Sequence, residues 1–116
     1  MGQPVVHFEV MGTDAAKLQK YYADLFDWQV SVAPGAPVSY GLVDGAGIAG
    51  GIGGSPDLPK HVTFYVEVPD VEAALQRAES LGGSRVQGPD QVPGGPIIGL
   101  FHDPEENLVG VTQSGS

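Results

Sequence analysis

Apolar and polar positions fall into two patterns that recur in the same order along the chain. Residues 4–10, PVVHFEV, are β-branched and aromatic enough to predict a strand. Thr13-Asp14 follows as a helix N-cap signal. Leu18, Tyr21, Tyr22 and Leu25 then stand at i, i+3, i+4 and i+7, one apolar stripe of an amphipathic helix. The same text returns 56 residues later, where Asp70 answers Asp14. Residues 61–68, HVTFYVEV, predict a second strand, and Val71, Ala74, Leu75, Ala78 and Leu81 a second stripe. Gly82-Gly83 supplies the left-handed stop that helices favour.

Each helix is followed by three short strand candidates. In the first half these are Trp28–Val32, Val38–Val43 and Gly47–Ile52, separated by APGAP and DGAG. In the second they are Ser84–Gln87, Ile97–His102 and Leu108–Thr112, separated by QGPDQVPGGP and DPEEN. The run GAGIAGGIGG is the weakest of the six, because glycine lacks a side chain to pack in a strand. The chain therefore reads as two βαβββ modules, about 4–53 and 61–113, with a linker over 53–60. One such module is marginal alone. Two placed edge to edge give an α+β fold: an eight-stranded, incurved mixed sheet around a cleft, with the helices outside. A cleft between repeats is where a small organic molecule is expected.

Composition narrows the function. With 116 residues the chain is long enough for one domain, spanning 1–116. Five Lys and Arg stand against 14 Asp and Glu, a net charge of -9 that repels phosphate backbones and anionic lipid. Neither a nucleic acid nor a membrane is an expected partner. The absence of cysteine excludes a disulfide scaffold, a thiol nucleophile and a Cys-type zinc site. The opening MGQPVVHFEV has no basic start or cleavage region, and no apolar run approaches a membrane span, so a cytoplasmic location is expected.

Four pieces carry a resemblance: VVHFEV; the stretch from Asp14 through the double tyrosine to LFDW; YVEVPDVEAAL with LGG; and FHDPEENLVGV. In this order and spacing they resemble the vicinal oxygen chelate superfamily, which includes glyoxalase I, bleomycin-resistance proteins and extradiol dioxygenases. The resemblance implies one divalent metal, held by His and Glu side chains from the first and last strands of each module, that binds adjacent substrate oxygens and stabilises an oxyanion. Carried over residue by residue, those four positions are His7, Gly51, Thr63 and Gly110. Two lack a side chain and a threonine hydroxyl is a poor ligand beside imidazole or carboxylate. The family metal is therefore expected to be absent, with no cofactor in its place. The resemblance then implies a binding protein of the bleomycin-resistance kind, its cleft lined by His7, Gly51, Thr63, Tyr65 and Gly110. The two glycines are expected to leave volume for a bulky organic guest, and the family habit of pairing implies a homodimer.

Two other readings compete. A metal-dependent lyase, isomerase or dioxygenase would need a displaced ligand set drawn from His7, Glu9, His61 and Glu67, which alternate along the first strand of each module. A metal-free acid–base enzyme would rely on His7 and Glu9. Whether the chain is an enzyme stays open at this point. Against both stands a plainer account, in which His7 is satisfied by a neighbour and Glu9 and Glu67 are solvated. Tyr21, Tyr22 and Trp28 are expected to pack, and His102 to sit beside a turn. Glu106 and Asp27 stand where the family usually has glycine. At the DPEEN turn either the turn is rebuilt or Asn107 takes the left-handed position. No phosphate loop, dinucleotide fingerprint or nucleophilic triad can be assembled.

Overall fold

The computed structural model describes residues 2–32 and 39–113. Its elements run β1 (Val5–Gly12), α1 (Ala15–Phe26), β2 (Gln29–Val32), β3 (Ser39–Asp44), β4 (Ala49–Gly54), β5 (His61–Glu67), α2 (Val71–Ser80), β6 (Ser84–Gln91), β7 (Ile97–His102) and β8 (Leu108–Gln113). This is the βαβββ order written twice, with an eight-stranded mixed sheet and two helices. The expected strand start at Val38 and the APGAP loop lie outside the described residues. The chain forms two compact units, one of residues 7–63 and one joining the residues up to Val6 to those from Phe64 onward.

In the unit of residues 7–63 the strand order is β2-β3-β4-β1. β3 runs antiparallel to β2 and β4, whereas β1 is parallel to β4, with Glu9 opposite Gly51. Asp14 caps α1 through the Lys17 amide at 3.1 Å. The core is Val10, Val43 and Ile52, flanked by Phe8, Leu18, Tyr22, Trp28 and Val30. Trp28 packs among Phe8, Tyr22 and Phe26, with ring centroids 5.0–6.0 Å away.

The face that α1 buries corrects the stripe. Ala15 and Gln19 are buried, whereas Tyr21 and Leu25 are 59% and 54% exposed. Gln19 Nε2 donates to the Ile52 carbonyl at 2.8 Å, and its amide lies beside Gly41. A buried backbone acceptor needs a donor, so a residue counted as polar holds the centre of the buried face. The helix is turned accordingly.

β4 is a strand despite its glycines, and the packing explains them. A Cβ on Gly50 would overlap the Phe8 ring on the helix side; a Cβ on Gly51 would overlap the Tyr40 ring on the other side. Two aromatic rings thus sandwich a strip of bare backbone, which only glycine permits.

In the second unit the order is β5-β8-β7-β6, with β5 parallel to β8 and Tyr65 opposite Gly110. Asp70 caps α2 by accepting from the Ala73 amide. Val71 and Leu75 are fully buried with Val68 and Val111, and both press on Gly99. Leu81, expected on the stripe, is instead the 63% exposed C-cap, followed by Gly82 at φ 106°. β6 is longer than expected: it runs to Gln91 by two register shifts, which absorb the QGPD stretch.

Both non-glycine substitutions of the family pattern fall at left-handed backbone. Asp27 ends α1 at φ 60° and Glu106 has φ 66°. The DPEEN turn is thus neither rebuilt nor relieved by Asn107. Glu106 itself takes the strained place, because Asp103 Oδ1 accepts the amides of Glu105 and Asn107 at 2.8 and 2.9 Å and fixes the loop around it. The same bonds from Asn107, with its side-chain amide foremost, hold the Asp103 carboxyl below its ordinary value.

Candidate functional site

Alternation in β1 sends Phe8 and Val10 into the core beside α1 and puts His7 and Glu9 on the opposite face of the sheet. On β3 the same rule puts Val43 in the core and Tyr40 on the face with His7. Three side-chain bonds then connect four residues. Tyr40 donates its hydroxyl proton to Glu9 Oε1 at 3.0 Å, and the hydroxyl oxygen lies 2.8 Å from His7 Nε2. A phenol has one proton, so its oxygen accepts from an Nε2–H of His7. Glu9 Oε2 meets His61 Nε2 at 2.7 Å, with the two side chains only 13% and 20% exposed. The result is a chain, His7–Tyr40–Glu9–His61, carried entirely by the unit of residues 7–63.

The electrostatics agree with that bonding. Burial pushes the His7 imidazole below its ordinary value, and the nearby Glu9 charge only partly opposes this. The Tyr40 bond requires a proton on His7 Nε2, which the neutral imidazole supplies in that tautomer.

Of the expected site residues, the fold brings His7, Glu9 and His61 into one network, and adds Tyr40, which the sequence did not single out. Gly51 lies beneath Tyr40, and Thr63 is buried on the same unit. Tyr65, Gly110 and Glu67 belong to the other unit. There Tyr65 is 5% exposed, with its ring over Gly110, while Glu67 is exposed and its amide donates to Pro4. The glycines therefore do not leave the open volume expected of them. Tyr40 fills the space over Gly51, and Tyr65 fills the space over Gly110.

Among the described residues no three His, Asp or Glu side chains gather as a metal's donor set. The donors present are also committed: both Glu9 oxygens accept bonds, and His7 reaches Glu9 only through a phenol. These residues do not fit the family's divalent ion.

A family model described as a glyoxalase-like domain matches residues 7–112. The chain belongs to the glyoxalase-like family. Solved structures show the same fold. A hypothetical protein of Bacillus halodurans C-125 superimposes with a TM-score of 0.76 at 10% identity, covering 100% of this chain and 97% of that one. Methylmalonyl-CoA epimerase from Mycobacterium tuberculosis gives 0.68 at 14% identity, covering 97% and 88%. A glyoxalase/bleomycin resistance protein/dioxygenase superfamily member from Vibrio splendidus 12B01 gives 0.67 at 18%, covering 97% and 100%. At these identities the glyoxalase-like chain shares their fold. No curated protein sequence matches it.

Proposed function

We propose that this glyoxalase-like protein binds a small organic molecule, in the manner of the bleomycin-resistance branch, without the family metal. The observation that carries the reading is the His7–Tyr40–Glu9–His61 chain: four polar side chains arranged by mutual hydrogen bonds, of which His7 alone stands at a position where the resemblance implies an ion ligand. A pre-oriented set of this kind recognises a polar group at little ordering cost. Thermal shift and calorimetry across aromatic, glycopeptide and polyketide-like compounds test it; saturable binding by one class is expected, and silence across the panel overturns it. Elemental analysis after purification without chelator is expected to show no stoichiometric Zn, Ni, Mn or Fe. One equivalent of metal lost in His7→Ala contradicts the proposal. In the same reading the protein is cytoplasmic and a homodimer, the latter checked by light scattering.

A second reading is favoured by one feature of the chain of bonds. Glu9 lies between an imidazole and a phenol, an arrangement that can hold and return a proton during acid–base chemistry. Its mark is a bell-shaped pH–rate profile that loses one limb in Tyr40→Phe.

A further inference from the structure

A groove lies in the unit of residues 7–63, where the end of β1, the first turns of α1 and the entry to β5 meet. It encloses about 760 Å³. Val10, Leu18 and Val62 give it apolar walls, and the Tyr21 ring, 59% exposed, stands at its edge.

Its charge is out of keeping with the rest of the molecule. The chain carries only five Lys and Arg against a net charge of -9. Lys20 is paired with Asp24, and Arg85 with Glu72 and Glu79. Lys17 and Lys60 both line the groove, and neither has an ion pair among the described residues. The acidic residue nearby, Asp14, is engaged by the Lys17 amide as the cap of α1. The His61 ring, also on the wall, is held by Glu9. Two ammonium groups beside an apolar wall, in a protein whose overall field repels anions, make a local attraction for an anion with an apolar body.

We propose that this groove binds a small amphipathic organic anion, with its phosphate or carboxylate between Lys17 and Lys60 and its hydrophobic part against Val10, Leu18, Val62 and Tyr21. The groove touches the His7–Tyr40–Glu9–His61 chain at His61, but its two lysines lie outside that chain, and the proposal does not depend on the ligand proposed there. Attraction of this kind, between exposed charges, is modest per contact and sensitive to salt.

The test uses the full chain and 2-naphthyl phosphate as probe, followed by amide chemical shifts in NMR, with 2-naphthoate and neutral 2-naphthol alongside. Both anions are expected to shift residues 10–21 and 60–62 saturably, and the naphthol to bind more weakly. Lys17→Gln with Lys60→Gln is expected to weaken the phosphate about tenfold, since two exposed charge contacts are removed. Raising salt from about 0.01 M to about 0.15 M is expected to weaken it several-fold as the screening length shortens. Both lysines are exposed, so the double variant keeps the wild-type melting temperature. Absence of saturable shifts at these residues overturns the proposal. So does equal binding of naphthol and phosphate, or an unchanged affinity in the double variant.

Discussion

Gly51→Ala is the change whose cost the structure defines most sharply. A methyl group at Gly51 would overlap the Cζ and hydroxyl of Tyr40, and the glycine is itself buried, so the backbone has little room to move. Overpacking of this kind costs about 1–3 kcal/mol. Displacing the ring also breaks the bonds of Tyr40 to His7 and Glu9, worth about 1 kcal/mol each. A total near 3–5 kcal/mol follows, which for a chain of this length lowers the melting temperature by roughly 12–20 °C. The assay is a double-mutant cycle by thermal and urea unfolding. Tyr40→Ala alone costs about 3 kcal/mol. Adding Gly51→Ala to it then costs little, because the ring that opposed the methyl group is gone. The two changes should therefore couple by about 2 kcal/mol or more. If Gly51→Ala carries the same penalty with and without the Tyr40 ring, the aromatic cover over β4 is not the reason for its glycines.

Glu106→Gly is expected to stabilise the fold by about 1 kcal/mol, because the residue sits at φ 66° and glycine bears no left-handed penalty; a melting temperature unchanged or lowered refutes this. The lowered pKa of His7 makes the unfolded chain the better proton acceptor. Stability should therefore fall as pH drops below about 6.5 and level off once native His7 is itself protonated, a dependence that His7→Gln is expected to reduce in urea titrations. The Glu72 carboxyl, held at about 2 chiefly by its bond to Arg85, should return toward the ordinary range in Arg85→Gln, as followed by side-chain carbonyl shifts in NMR.

Much of the fold was legible because its signals are local. Asp14 and Asp70 announce both helices as N-caps, and Gly82 ends the second at left-handed backbone. Alternation along β1 placed His7 and Glu9 on one face, and the bonds through Tyr40 bear that out. What could not be read depends on partners brought from elsewhere in the chain. Hydropathy turned α1 toward Tyr21 and Leu25, because nothing local shows that Gln19 must satisfy the Ile52 carbonyl. Tyr40 was passed over for the same reason: it reaches Glu9 from 31 positions away. One sequence signal did point to it. A strand as glycine-rich as β4 needs rings to cover it, and the neighbouring strand offers a tyrosine. The expectation of free volume over Gly51 failed because the missing side chain was counted and the covering ring was not.

The account turns on whether the bonded side chains of the 7–63 unit recognise a ligand as a set. Calorimetry of the strongest binder from the compound panel, against the wild type and Tyr40→Phe, measures this directly. Loss of the one hydroxyl that links His7 to Glu9 is predicted to weaken one-to-one binding about tenfold, the worth of roughly one hydrogen bond. An affinity that ignores the hydroxyl contradicts the account.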